Sequence, residues 1–291
     1  MKTLTYSILH LRFHFSVFLL PVFLFALAGI QHPFHTDTVV LFVILHLLVY
    51  PSSNAYNSLQ DRDTGSIGGL KNPPPTPRVL GLVTLAFDGL ALLWATFALG
   101  WEVAGMLAAY ILASRAYSYR SVRLKRFPVI GFLLVAFLQG GLVYLVTTVT
   151  ALDISLTQLS GRVLFGTLCA MLMIGAGYPL TQIYQHDQDR ADGVETLSMK
   201  LGVRGTLLFS LTLFGLFTGL MLFFWWDSPP APFLFLVFTA PTALYFLYWT
   251  SRVWVNEAQA NYDNTMRMNL ISTVSLNAFF ITLLLIMPWN L

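Results

Sequence analysis

The sequence predicts an all-α, polytopic membrane protein built as one bundle of nine transmembrane helices, N-terminus in and C-terminus out. Three observations carry that expectation. Only 10% of the 291 residues are charged while 56% are hydrophobic, whereas a soluble domain carries about 25% charged residues. The apolar residues run continuously instead of alternating, which selects helices over a membrane β-barrel. Fifteen of the sixteen Lys and Arg residues also fall on one side of the map those runs define, Arg162 being the exception.

The runs are 13–30, 38–60, 79–99, 101–119, 128–150, 160–184, 205–226, 231–250 and 268–288. Each approaches the roughly 20 residues that cross a bilayer core. Ala26-Leu27-Ala28 has the look of a signal-peptidase site, but the run before it is longer than a usual signal core and has Arg12 against it, so it reads as a retained helix. With the N-terminus on the basic side, the loops near 61–78, 115–127, 185–204 and 251–267 share that side, and the positive-inside rule makes it cytoplasmic. The protein is therefore expected to be a multi-pass protein of the cell (inner) membrane. Topology explains the net charge of +3 before any nucleic acid is invoked. Cys169 stands alone, which excludes a disulfide framework or a cysteine metal cluster. No long linker divides the chain, and Gly100 alone separates the third run from the fourth, so residues 1–291 are expected to form a single domain.

The chemistry concentrates at the cytoplasmic side, where eight of the thirteen acids lie. In the second span and its loop, His46, Tyr50, Ser53, Asn57 and Asp61 fall within a sector of about 80° on an α-helix. Polar side chains at that depth are costly unless they face partners or a cavity, so the stripe is either a hydrogen-bonded seam or a cavity wall. The sixth span repeats the arrangement, with Tyr178, Gln182, Gln185 and Asp189 within about 60°. Asp61 and Asp189 are the best-placed carboxylates; Asp63, Asp187 and Asp192 are secondary. Asp88 lies about 15 Å into its span by the helical rise, deep for a metal ligand, and is left outside the site. Two acid clusters on neighbouring helix ends need a cation between them. Oxygen-only donors suit Mg²⁺, and Lys71, Lys125 and Arg126 on the same side suit a phosphate held jointly by metal and protein.

Taken together, Asn54 with Asn57-Ser-Leu-Gln-Asp61-Arg, Leu70-Lys71-Asn72-Pro73, Tyr117-Ser118, Leu124-Lys125-Arg126, and Asp189-Arg190-Ala191-Asp192-Gly193 leading to Thr196-Leu197 and Leu201-Gly202 resemble the UbiA superfamily of intramembrane prenyltransferases over essentially the whole chain. The resemblance implies nine helices and two cytoplasmic acidic motifs, N-x-x-x-D-x-x-x-D and D-x-x-x-D, that hold Mg²⁺ and an isoprenoid diphosphate. This chain departs from both. Gly65 stands where the first motif would place its last Asp, and Gln185 where the second would place its first; Asp63 and Asp187 lie two residues away in each case.

The function so implied is Mg²⁺-dependent transfer of a prenyl group from an isoprenoid diphosphate to a lipophilic acceptor. Asp61 and Asp189 are expected to be catalytic through the metal, with Asp63, Asp187 and Gln185 as further ligands. Lys71, Lys125, Arg126 and Asn57 are assigned to the diphosphate, and membrane lipid is the surrounding partner. The alternatives are a non-catalytic lipid-binding relative, suggested by the two departures, and a secondary transporter, suggested by the polar stripe with His46 and Asp88.

Overall fold

The computed structural model describes residues 2–62 and 64–286. Its helices are α1 (Lys2–Leu11), α2 (Leu20–Leu27), α3 (Thr36–Val43), α4 (Tyr50–Asp61), α5 (Leu80–Leu99), α6 (Trp101–Ser118), α7 (Pro128–Val135), α8 (Val143–Leu152), α9 (Gly161–Gln182), α10 (His186–Ala191), α11 (Leu197–Phe224), α12 (Ala231–Val255) and α13 (Tyr262–Ile286). Several join end to end, and eight helical segments among the described residues are long and apolar enough to cross a membrane. The expected fourth span, α6, is an 18-residue helix but falls outside those eight. Glu102 and the closing Arg115–Ser118 turn make it too polar to qualify alone.

The N-terminal tail differs from expectation. Lys2–Leu11 form α1, which Arg12 (φ 49°, left-handed) breaks from a 3-10 segment, Phe13–Leu19, that leads into α2. The helix persists because Leu11 finds a small apolar cluster with Ala55 and Leu80, backed by Phe13, Leu59 and Phe87.

A second difference lies in the second span. Between α3 and α4 the chain makes a π-helical turn, Ile44–Val49, whose extra residue rotates everything on one side of it relative to the other. The five-residue polar stripe is therefore broken between His46 and the four residues on α4. His46 and Tyr50 are buried among aromatic rings, His46 stacking on Phe42 at 4.4 Å and meeting Phe23 and Tyr50 edge-on. Tyr50 stays in register with Ser53, Asn57 and Asp61 on α4, but its ring is buried against His46 and Tyr110. A matching π turn, Ala136–Leu142, joins α7 to α8.

The main core is an aromatic and aliphatic seam from α2, α8, α11 and α13, with Phe25 packed against Tyr144, Phe224 and Phe280 at 4.8–5.2 Å between ring centroids. Because the bilayer is itself apolar, such close ring packing does what the hydrophobic effect would do in water. Gly100 (φ 89°, ψ 171°), the one residue between α5 and α6, takes a conformation open to glycine and turns α6 back along α5. The hairpin is closed by an ion pair between Asp88 and Arg115, with Ser52 Oγ donating to Asp88 Oδ1 at 2.7 Å. The mid-span carboxylate is thus paired across helices instead of standing alone.

At one end of the bundle the acidic and basic loops are tied together. Arg12 donates to the carbonyls of Gly68 and Asn54 at 2.9 and 2.7 Å, and Lys71 meets Asp263 at 2.6 Å. At the opposite end, Glu102 accepts the Leu156 N–H at 2.6 Å.

Candidate functional site

A cavity of about 270 Å³ opens within the end that carries the acidic loops, lined from α4, α6, α9, α10, α13 and the 3-10 turn Leu124–Arg126. Its polar part holds Asp61, Asn57, Lys125, Gln185, Gln188 and Asp189; its deeper part holds Tyr110, Leu138, Met173, Ile174 and Leu276.

Asp61 is the last residue of α4. Arg62 follows in the left-handed conformation (φ 55°, ψ 41°) and ends the helix there. Its carboxylate is nearly saturated. Asn57 Nδ2 donates to Oδ2 at 2.8 Å, Lys125 Nζ sits 2.5 Å from the same oxygen, and Arg123 Nη2 reaches Oδ1 at 3.4 Å. Asp61, Lys125 and Arg123 have side-chain exposures of only 4%, 9% and 10%. Burial of that degree demands the pairing, because an unpaired buried charge costs several kcal/mol. Asn57 also donates to Ser118 Oγ at 3.1 Å, which fixes α4 against α6. Arg123 in turn pairs with Asp192, so one guanidinium links the two acidic segments.

Asp189 arrives differently. Pro179 inside α9 cannot donate to the turn before it. The helix then tightens to a 3-10 turn, Ile183–Gln185, and restarts as α10. Tyr178, Gln182, Gln185 and Asp189 nevertheless all line the cavity, the face read from the sequence. Among the described residues the Asp189 carboxylate has no hydrogen bond or ion pair; it feels Lys125 and Arg123 as attracting charges and Asp61 and Asp192 as repelling ones. Above it, Tyr117 and Tyr178 share a hydroxyl contact of 2.5 Å, and Gln182 Nε2 donates to the Tyr178 hydroxyl at 2.9 Å.

The remaining candidates among the described residues do not reach the cavity. Lys71 is 58% exposed and engaged with Asp263. Arg126 lays its guanidinium over the Phe127 ring at 4.8 Å. Asp187 is fully exposed and paired with Arg190 at 3.0 Å. Asp63 lies outside the described residues. Two further features were not read from the sequence. Arg12 lines the cavity although its position reads only as a helix flank, and Arg123, three residues from Arg126 in the same basic run, carries the contact with the acids.

Among the described residues no group of three or more His, Cys, Asp or Glu could hold a metal by itself. Two carboxylates from separate helices, supplemented by amide oxygens, do fit Mg²⁺, which binds through one or two carboxylates and takes its other oxygens from a phosphate ligand and water. Lys125, on the cavity wall, suits that phosphate, with Arg123 behind Asp61 adding positive charge.

Comparison with known proteins points the same way. The model of the UbiA prenyltransferase family matches residues 18–271. No curated protein matches the sequence significantly. Among solved structures, the fold is similar to that of a UbiA homologue from Archaeoglobus fulgidus bound to GPP and Mg²⁺, with a TM-score of 0.66 at 18% identity over 96% of this chain and 99% of that one. A UbiA homologue from Aeropyrum pernix, without ligand, gives 0.66 at 19% identity over 94% and 99%. A digeranylgeranylglyceryl phosphate synthase structure gives 0.62 at 17% identity over 97% and 99%.

Proposed function

Since the chain belongs to the UbiA prenyltransferase family, we propose that it transfers a prenyl group from an isoprenoid diphosphate to a lipophilic acceptor inside the membrane, with Mg²⁺ as cofactor. The observation that carries this reading is the juxtaposition of Asp61 and Asp189 with Lys125 at the polar mouth of a cavity whose depth is apolar and aromatic. The Archaeoglobus homologues bound to GPP or to DMAPP with Mg²⁺ support it.

Asp61 and Asp189 would hold the metal, with Asn57 oriented on Asp61 as a supporting donor. When bound, Mg²⁺ supplies positive charge to a departing diphosphate. Lys125 and Arg123, already directed at Asp61, supply more of it from the protein. The allylic carbon then lies toward Tyr110, Tyr117 and Tyr178, whose rings shield a developing cation and whose neighbours exclude water. Lys71 and Arg126, away from the cavity, serve the surface near the membrane headgroups.

The test is pyrophosphate release from an allylic diphosphate by purified protein, with and without Mg²⁺. Absence of Mg²⁺-dependent release with every chain length and a membrane lipid extract as acceptor would favour the non-catalytic relative. Comparing lipid extracts of cells with and without the protein identifies the acceptor through the missing product. The acidic end of the bundle is assigned to the cytoplasm. Single cysteines at Ser66 and Asp227 should label from opposite sides, Ser66 from the cytoplasm, with buried Cys169 silent. Labelling of both from one side overturns the span map, and labelling of Ser66 from outside reverses the assignment.

A further inference from the structure

The two positions at which this chain departs from the family's acidic motifs are joined to each other's segments. Gly65, in the place of the first motif's last Asp, donates its N–H to Gln188 Oε1 at 3.2 Å. Gln185, in the place of the second motif's first Asp, donates its Nε2 to the Ser66 carbonyl at 3.3 Å. Both bonds cross from the loop after α4 to the α9–α10 segment, over 123 and 119 residues of sequence. One runs from loop backbone to helix side chain and the other from helix side chain to loop backbone, so together they close a small neutral clamp.

A carboxylate at either position undoes the clamp. At 185 it has no N–H to give and would face the Ser66 carbonyl, oxygen against oxygen. At 65 any Cβ would stand 2.6 Å from Gln188 Oε1 and displace the acceptor. Facing acidic segments repel unless a cation lies between them, whereas amide hydrogen bonds hold without one. Little charge among the described residues of the cavity is left for metal. Of the described carboxylates on the cavity, Asp61 is matched by Lys125 and Arg123, and only Asp189 is unpaired.

Resting on the prenyl-transfer reading, we infer that Gln185 and Gln188 hold the two motif segments together without metal, and that the site binds its diphosphate with a single divalent cation, Lys125 taking up remaining phosphate charge. Gln185 is on this account a positioning residue and not a metal ligand.

Hydrogen–deuterium exchange of the 64–68 backbone in chelator-treated, detergent-solubilised protein tests the clamp. Wild-type exchange should change less than twofold on adding Mg²⁺. Gln188→Ala should speed it about two- to tenfold, the worth of one hydrogen bond. Gln185→Glu should speed it similarly without cation and return to within about twofold of wild type with Mg²⁺, because the new carboxylate makes closure metal-dependent. A wild-type loop that is protected only with Mg²⁺, an unchanged rate in Gln188→Ala, or a Gln185→Glu rate that Mg²⁺ does not restore overturns the clamp. For the stoichiometry, Mn²⁺ titrated with a non-ionisable thiolodiphosphate donor analogue should bind once per chain with the paramagnetic resonance spectrum of an isolated ion. Two ions with a spin-coupled spectrum, as expected of a pair about 3.5–4 Å apart, overturn the single-cation site. None of these readouts needs turnover, so their failure is separate from failure of the pyrophosphate assay.

Discussion

The segments that follow α4 and α9 deliver carboxylates to the same cavity by opposite means. The first stops its helix abruptly at a left-handed Arg62, and its Asp61 is buried under Asn57, Lys125 and Arg123 before any ligand arrives. The second bends gradually through a 3-10 turn after Pro179, and its Asp189 faces the cavity unpaired. One carboxylate is therefore part of the scaffold as well as of the cavity wall, and the other, on the proposed function, is left for the ligand alone. Similar composition and position in two motifs do not imply similar energetic roles.

That contrast breaks most visibly at the two acids themselves. Asp189→Asn and Asp61→Asn should each lower kcat/KM by about 100- to 1000-fold, the scale for losing a preorganised electrostatic partner. Only Asp61→Asn should also destabilise the protein, by about 3 kcal/mol, since it leaves buried Lys125 without its paired counter-charge while Arg123 keeps Asp192. Thermal melting in detergent measures the difference, and equal melting of the two variants would abolish the distinction. Next in size is the contrast among cations. Lys125→Ala should weaken diphosphate binding by about 10- to 100-fold, the worth of a charged hydrogen bond. Lys71→Ala, removing an exposed pair, should stay within about fivefold by the same titration. The smallest effect belongs to Asp187→Asn, which should change the Mg²⁺ concentration for half-maximal activity by less than about twofold. An effect larger than that of Asp63→Asn would bring the second segment's outlying acid into the site.

The residues show what a sequence can carry. Continuous apolar runs announce the helices, and helical spacing places Ser53, Asn57 and Asp61 on one face because α4 is regular there. The same spacing fails for His46, since nothing in Ile44–Val49 signals the extra residue of a π turn. The second face survives its 3-10 turn because three tighter residues rotate it too little to leave the cavity. Basic residues were legible as a group but not as individuals. Within one run, Arg123 and Lys125 turn inward while Arg126 turns to Phe127, a division set by the left-handed Arg123 (φ 48°) that no side-chain pattern encodes. The links from Gly65 to Gln188 and from Gln185 to Ser66 join segments more than a hundred residues apart and exist only in the fold.

The hairpin of α5 and α6 has a consequence for biogenesis. An Asp at the centre of a lone helix costs about 2.5–3.5 kcal/mol on entering the bilayer. An Arg in the last turn, as Arg115 is in α6, costs less but still gains from a partner. Asp88 and Arg115 sit on adjacent helices joined by the single residue Gly100, so each can neutralise the other as soon as the second helix has been made. The nascent chain thus gains by partitioning α5 and α6 into lipid as one unit. Arg115 in this role helps a polar helix leave the translocon in company, and glycosylation mapping of Asp88→Leu should show α6 inserting less completely even though α5 itself has become more apolar.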